Sequence, residues 1–224
     1  MNELGKIHQL IVPFLGTNLT FNLDAIAMTW IVFGVLIGFG YLATRHRNRL
    51  PGPLQVVGEL LVTNLWGLVE DALGKEMARK YAPLIASLFM FLVMSNWLGI
   101  FPHLEEPTKD LNTPLGLGIM GFCIAHYAGI KSKGLTHYIR EYFQPIFFMM
   151  PLNLIGEVAK VVSISFRLFG NIMGGSIIIL VVSHLTYSIV MPPLLNAFFG
   201  LFVGVIQAFV FTMLTLVYIS VQVR

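Results

Sequence analysis

The sequence predicts a single membrane domain of the all-α polytopic class, with about five transmembrane helices, one interfacial amphipathic helix and a long tilted C-terminal helical hairpin. Of its 224 residues, 56% are apolar and 11% are charged, and the mean hydropathy is +0.79. A soluble domain carries about 25% charged residues because water must wet its surface. The composition therefore excludes a water-soluble, a disordered and a collagen-like chain. The net charge of +3 is too small to indicate a nucleic-acid partner, and the single cysteine, Cys123, cannot form an intrachain disulfide.

The first predicted span covers residues 25–44, an apolar run long enough to cross the bilayer core. Three arginines follow it at Arg45, Arg47 and Arg49. Cytoplasmic loops carry an excess of basic residues, so this end is predicted to lie in the cytoplasm and the N-terminus outside. The run starts too far into the chain for a signal peptide and lacks a small-residue cleavage site.

Residues 54–74 are predicted to form a helix that lies on the membrane surface. The segment follows a Pro-Gly-Pro break, and it places Glu59, Glu70 and Asp71 among apolar residues at near-helical spacing. An amphipathic helix of this kind lies in the interface with its apolar face buried. A further crossing of the membrane is the alternative.

Residues 81–130 are predicted to form a transmembrane helical hairpin. Its loop carries Glu105, Glu106 and Asp110 against a single lysine, which fits the outer side of the membrane. The basic residues that follow the second helix, Lys131 and Lys133, fit the cytoplasmic side. These signals agree with the orientation predicted from the first span.

Residues 142–221 are predicted to form a long, strongly tilted hairpin that ends in the cytoplasm. Its first apolar run, residues 142–187, would be about 69 Å long as one continuous helix, which is more than twice the thickness of the bilayer core. Such a helix must tilt, bend or be interrupted. Pro145 and Pro151 are placed to break or kink its start, and Pro192 and Pro193 are predicted to mark the turn between its two arms.

Three charged residues lie inside this hairpin: Glu157, Lys160 and Arg167. An arginine in mid-membrane costs about 2.5–3.5 kcal/mol on insertion scales, so its presence indicates a function. Glu157 and Lys160 are spaced to form a structural ion pair at i, i+3. That pair leaves Arg167 unexplained, because it lies ten residues, about 15 Å, beyond Glu157.

Small and polar residues share the helical face of Arg167, which favours close approach of a partner helix, although ordinary helix packing is the alternative. They are Lys160, Ser163, Gly170, Asn171, Gly174 and Gly175. The opposite side is predicted to carry Ile164, Phe166, Leu168, Phe169 and Ile172. The last helix offers a matching face of Gly200, Gly204 and Gln207, continued by Phe211, Thr215 and Tyr218. His126 and His184 are interpreted as structural, and no hydrolase, protease or metal-ligand motif is present in the sequence.

Three segments together resemble subunit a of the F-type rotary ATP synthases. They are PLNLIGEVAK at residues 151–160, SFRLFGN at 165–171 and IQAFVFTMLTLVYIS at 206–220. The resemblance spans essentially the whole chain. It implies a multi-pass subunit of the bacterial plasma membrane, without cofactor or catalytic residue, in contact with the c-subunit ring, the b subunits of the peripheral stalk and the lipid bilayer. It also implies two aqueous half-channels that deliver H+ or Na+ to the ring and remove it.

The resemblance assigns ion translocation to Arg167 as the essential arginine, to Asn171 and Gln207 as its neighbours, and to Glu157 as a half-channel acid. It makes Ser163, Lys160, Ser176, Gly200 and Gly204 possible channel-lining residues. Ser176 and Gly200 stand where the family often has ionisable residues, which motivates sodium as an alternative to the proton. A secondary transporter that binds an anion at Arg167, and a membrane-embedded enzyme, are the competing functions. The absence of inverted repeats and of catalytic groups counts against them.

Overall fold

A computed structural model describes residues 9–14, 17–45, 52–101, 104–142, 150–186 and 191–223. Its first element is an antiparallel β-hairpin in which β1 (Gln9–Phe14) pairs with β2 (Thr17–Asn22). This hairpin is not among the predicted elements, although polar and apolar residues alternate along β2 at the strand period. The remaining regular elements in the described ranges are helices, which confirms the all-α membrane class.

Helices account for most of the described chain after this hairpin. In chain order they are α1 (Leu23–Arg45), α2 (Pro53–Leu73), α3 (Lys75–Leu98), a 3-10 turn (Pro107–Lys109), α4 (Asn112–Lys133), α5 (Leu135–Tyr142), α6 (Met150–Thr186), α7 (Met191–Ala197), a π-helical turn (Phe198–Val203) and α8 (Gly204–Val223). Within the described ranges, five helical segments are long and apolar enough to cross a membrane: α1, α3, α4, α6 and the continuous run from α7 to α8. The five predicted spans are therefore confirmed.

The second predicted element exists as helix α2, one residue from its predicted start, and it is not among these five segments. Its position in the membrane interface stays a prediction. α3 begins at Lys75, before the predicted residue 81, because the good helix formers Glu76, Arg79 and Lys80 extend the helix beyond its apolar part. Gly74 makes the corner between α2 and α3 at a positive φ of 79°, which glycine adopts without strain.

The C-terminal hairpin differs from the prediction at both ends of its first arm. α6 begins at Met150, so Pro151 occupies its first turn, whereas Pro145 lies outside the described residues. Pro192 and Pro193 lie in the first turn of α7 and not between the two arms. Proline is tolerated there because the first backbone N–H groups of a helix have no intrahelical acceptor. The π-helical turn then joins α7 to α8 without a break.

The core lies where α3, α4 and α8 meet. One buried cluster joins α2, α3, α4 and α8, and it includes Val69, Ile85, Ala125 and Ile219. α4 approaches α8 closely because its contact residues are small: Gly121 lies under Thr215, and Gly129 lies against Gln222. Small residues at such positions are the usual means by which helices pack in a lipid environment.

A second buried cluster attaches α6 to α3 and α8. It consists of Leu88, Leu92, Val93, Ile164, Leu168, Ala208 and Phe211. Ser165 adds a hydrogen bond to this attachment, because its hydroxyl donates to the carbonyl oxygen of Pro114 at the start of α4, over 3.1 Å. These contacts fix one side of α6 against the bundle, whereas the described residues leave the other side exposed.

Candidate functional site

Arg167 lies on the uncovered side of α6. Its side chain is exposed, and it forms no ion pair or hydrogen bond with the residues that the structure describes. Ile164 and Leu168, by contrast, are buried in the core, as the helical pattern predicted. α6 therefore presents a permanent cation outward from a helix that is mostly apolar.

The small residues near Arg167 divide between two environments. Ser163 and Gly170 are exposed, and a Cβ added at Gly170 or Gly174 would meet no atom of the described residues within 4 Å. Gly175 turns inward, where an added Cβ would lie 3.0 Å from a ring carbon of Phe199. The outward part of the stripe is thus open to a partner, whereas Gly175 serves packing within the chain.

Phe166 is a correction to the predicted opposite face. It is 51% exposed and so flanks the arginine face instead of opposing it. Successive residues on a helix are about 100° apart, so the residue next to Arg167 cannot lie directly behind it. Its ring adds apolar surface to the outward side of α6.

Asn171 and Gln207 connect the two arms of the hairpin. The side-chain amide of Asn171 donates to Oε1 of Gln207 over 2.6 Å. Gln207 is only 4% exposed, and its Nε2 has no hydrogen-bond partner among the described residues. The structure thus brings Gln207 to the arginine-bearing helix as expected, one turn beyond Arg167.

The predicted matching face of α8 turns toward α3. A Cβ added at Gly200 would overlap the side chain of Ile100, and one added at Gly204 would lie 2.9 Å from Cβ of Asn96. The Asn96 amide donates to the carbonyl oxygen of Gly204 over 2.8 Å. These two glycines therefore allow the end of α3 to pack closely against the π-helical turn and the start of α8.

A small polar cavity lies beyond Asn171, and we call it the loop-side cavity. It encloses about 30 Å³, which is room for water. Its polar lining residues are Asn96, Glu106, Asn171, Ser176, Asn196 and Gln207. Gly200 and Gly204 also line it, so three of the possible channel residues meet here. Asn96, Glu106 and Asn196 are not among the predicted site residues.

A second polar cavity lies at the other end of α6, and we call it the C-terminal cleft. It has a volume of about 380 Å³ and lies between the start of α6 and the end of α8, lined by Asn153, Glu157, Lys160 and Gln222 among others. Nζ of Lys160 donates to Oε1 of Glu157 over 2.6 Å, which confirms the predicted ion pair. Nζ of Lys160 also lies 5.8 Å from the centre of the Tyr218 ring.

The two cavities flank Arg167 along α6. The nearest lining residues on α6 are Lys160, seven residues before it, and Asn171, four residues after it, which places the cavities about 10 Å and 6 Å away along the helix axis. Polar, hydrated space thus approaches the arginine from both ends. Between the cavities α6 carries mostly apolar side chains together with Ser163 and Ser165, and Arg167 is the charged residue of this stretch.

His126 makes contacts within its own helix. Its Nδ1 lies 3.0 Å from the carbonyl oxygen of Phe122, and its ring lies 3.8 Å from the Phe122 ring, centre to centre. These contacts agree with the structural interpretation. His184 is exposed near the end of α6, where its role stays a prediction.

The sequence matches a known family. The family model described as ATP synthase A chain matches residues 26–220. The chain is 37% identical over 197 residues to ATP synthase subunit a of Moorella thermoacetica, covering 88% of this chain and 89% of that one. It is 39% identical over 203 residues to ATP synthase subunit a 1 of Crocosphaera subtropica, with 89% and 86% covered. For ATP synthase subunit a of Desulforamulus reducens the identity is 37% over 200 residues, with 86% and 76% covered.

Proposed function

Because the chain belongs to the ATP synthase subunit a family of the F-type membrane sector, we propose that it is the non-catalytic stator subunit that translocates H+ or Na+ and couples this movement to rotation of the c-subunit ring. One observation carries the proposal: Arg167 is exposed and unpaired among the described residues, between two polar cavities on an apolar helix. A buried structural arginine would instead be paired with a carboxylate.

Arg167 acts on the carboxylate of each passing ring subunit. Its guanidinium stays protonated in any membrane environment, whereas a lysine loses its proton readily when desolvated. A cation within about 4–6 Å lowers the pKa of a carboxyl group by about 1–3 units. A ring carboxyl that reaches Arg167 therefore releases its ion before it passes. The same charge repels cations and prevents direct leakage between the two cavities.

Asn171 and Gln207 hold the two arms of the hairpin together beside the arginine. Their 2.6 Å hydrogen bond fixes α8 against α6 one turn from Arg167. The free Nε2 of Gln207 is a buried donor that needs an acceptor, because an unsatisfied buried group costs about 1–3 kcal/mol. Water in the loop-side cavity, or the ring carboxylate itself, can supply that acceptor.

The two cavities serve as the starting points of the half-channels. The loop-side cavity leads to the outer side of the membrane, and the C-terminal cleft, with Glu157 and Lys160, leads to the cytoplasm. An ion that crosses gains about 2.3 kcal/mol per charge from each 100 mV of membrane potential. Because the two paths are offset along α6, the ion completes its crossing only on a ring that turns.

The partners follow from the surfaces of the chain. The exposed side of α6 around Arg167, Ser163 and Gly174 receives the c-subunit ring, because small residues there leave open space. The b subunits of the peripheral stalk and lipid cover other apolar surfaces. The subunit lies in the bacterial plasma membrane, with its N-terminus outside and its C-terminus in the cytoplasm.

The test is Arg167→Ala in the whole enzyme, with ATP-driven ion pumping measured in membrane vesicles and assembly checked by native gel. Arg167→Ala should assemble but lose coupled pumping, and Arg167→Lys should lose most of it because lysine can deprotonate. Arg140→Ala, which removes an exposed arginine outside the five candidate spans, is the matched control and should pump normally. Normal pumping by assembled Arg167→Ala would refute the proposal. Anion uptake by a chain that purifies without an ATPase would indicate the transporter.

The coupling ion is tested separately. ATP hydrolysis by the purified enzyme is measured while sodium is varied from trace to millimolar levels at fixed pH and ionic strength. Strong stimulation, together with protection by sodium against a carboxyl-modifying inhibitor of the ring, identifies Na+. Proton uptake by vesicles at trace sodium, unchanged when sodium is added, identifies H+.

A further inference from the structure

The loop-side cavity contains a carboxyl group that does not belong to the C-terminal hairpin. Ser176 and Gly200 line this cavity without a titratable group, and Glu157 lies in the other cleft. Among the described lining residues, the single acid is Glu106, from the loop between α3 and α4. That loop brings the carboxyl to the same space as Asn171 and Gln207.

The Glu106 side chain occupies a defined space next to Gly99. A Cβ at position 99 would overlap the Glu106 carboxyl group, so Gly99 leaves the space that the carboxyl occupies at the end of α3. Oε2 of Glu106 is buried and has no hydrogen-bond partner among the described residues. A buried carboxyl oxygen without a partner is costly, so water or a proton at this position is favoured.

The backbone that carries Glu106 is held in place by a relay across three elements. The buried Thr108 hydroxyl donates to Oδ1 of Asn96 over 3.1 Å. Asn96 in turn donates to the carbonyl oxygen of Gly204 over 2.8 Å. The relay ties the loop to α3 and to the start of α8, which is the helix that carries Gln207.

We propose that Glu106 is the titratable group of the half-channel on the loop side, and that it supplies from a separate loop the carboxyl that Ser176 and Gly200 do not provide. It accepts a proton from water at the loop side and passes it, through water in the cavity, toward the ring carboxylate near Asn171 and Gln207. No bond other than the O–H bond is made or broken. The inference rests on the proposed function and identifies the coupling ion as the proton.

The electrostatics suit this role. Burial raises the pKa of Glu106 to about 7, and the positive charge of Lys109 opposes the shift. The Lys109 ammonium lies 3.8 Å from the exposed Glu105 carboxylate, which offsets part of its effect. The side chains that line the cavity from α3, α6, α7 and α8 are neutral amides, hydroxyl or apolar groups. A group that titrates near neutral pH both accepts and releases protons efficiently there.

The experiment measures passive proton conduction through the membrane sector in vesicles stripped of the catalytic head. Glu106→Gln keeps the shape of the side chain and removes its titration, so conduction should fall about tenfold or more. Glu76→Gln, at an exposed carboxyl in the first turn of α3 and outside the lining of the cavity, is the matched control and should conduct as the wild type does. Ser176→Glu in the Glu106→Gln background returns a carboxyl to the same cavity and should restore conduction.

Each outcome decides the proposal. Unchanged conduction in Glu106→Gln, or loss without rescue by Ser176→Glu, would overturn it. If Glu106→Gln does not assemble, Glu106→Asp provides the second readout: the pH midpoint of conduction should shift, and an unshifted midpoint would overturn the proposal. Conduction of sodium instead of protons by the wild type would overturn the proton assignment. Arg167→Ala is run in parallel, because only normal pumping by that variant would contradict the proposed function itself.

Discussion

The outward position of Gly174 allows a sharp test of the proposed contact between the hairpin and the c-subunit ring. Gly174→Leu should leave the chain folded, because no atom of the described residues lies within 4 Å of the added Cβ. It should weaken coupling, because helix axes pack 8–10 Å apart depending on the side chains at the contact. Where Gly174 faces the proposed ring, a leucine in place of glycine should move the axes apart by about 2 Å on that scale.

The magnitude follows from the distance between charges. At an effective dielectric constant of about 20, a carboxylate about 4 Å from the Arg167 guanidinium gains about 4 kcal/mol, and at about 6 Å it gains about 2.8 kcal/mol. The difference, roughly 1.4 kcal/mol, corresponds to about one pKa unit of the ring carboxyl. Release of the ion beside Arg167 should therefore become about tenfold less favourable.

The assay is ATP-driven pumping in vesicles, divided by the rate of ATP hydrolysis. Gly174→Leu should hydrolyse ATP with the ratio reduced, and Gly174→Ala should lie much closer to the wild type. Gly175→Leu is the matched control one residue away, where the side chain collides with Phe199 and should lower the yield of assembled enzyme. Full coupling in Gly174→Leu would refute the reasoning, as would assembly defects of equal size in the two leucine variants.

Three further predictions rest on single features of the structure. A cysteine at the exposed Ser163 should crosslink to a cysteine on the ring helix, whereas one at the buried Leu168 should not, and equal yields on a denaturing gel would contradict the assignment of faces. Asn96→Leu removes two buried hydrogen bonds and should destabilise the enzyme by about 2–6 kcal/mol. Adding Thr108→Val should cause little further loss of stability, and thermal melts of the single and double variants measure both effects. Glu106 binds its proton more tightly in the folded state, so the stability of the wild type should fall as pH rises from 4.5 toward 7. Glu106→Gln should flatten this dependence of stability on pH. Parallel pH dependences in the two proteins would count against the buried position of the carboxyl.

Local patterns in the sequence predict the features that depend on one helix at a time. The spacing of Ile164 and Leu168 relative to Arg167 predicts which side of α6 is buried, because a helix repeats every 3.6 residues whatever surrounds it. The Glu157–Lys160 ion pair is predictable for the same reason, since its two partners lie within one turn. The helix that packs against Gly200 and Gly204 cannot be predicted in this way. A glycine allows any helix to approach closely, and the sequence pattern does not identify which one does.

The loop-side cavity could not be predicted from local sequence patterns. It is built from the end of α3, the loop after it, the second half of α6, and the α7–α8 arm, so its residues are far apart in the sequence. Charge counting placed Glu105, Glu106 and Asp110 together as one acidic outer loop, but only Glu106 turns into the cavity. The Thr108–Asn96–Gly204 relay holds the loop in place, and Gly99, which has no side chain, leaves room for the Glu106 carboxyl. Each of these features is a contact between separate elements. The cavity therefore contains a carboxyl group although the helices that line it supply none, because its composition depends on contacts between separate elements and not on any one helix.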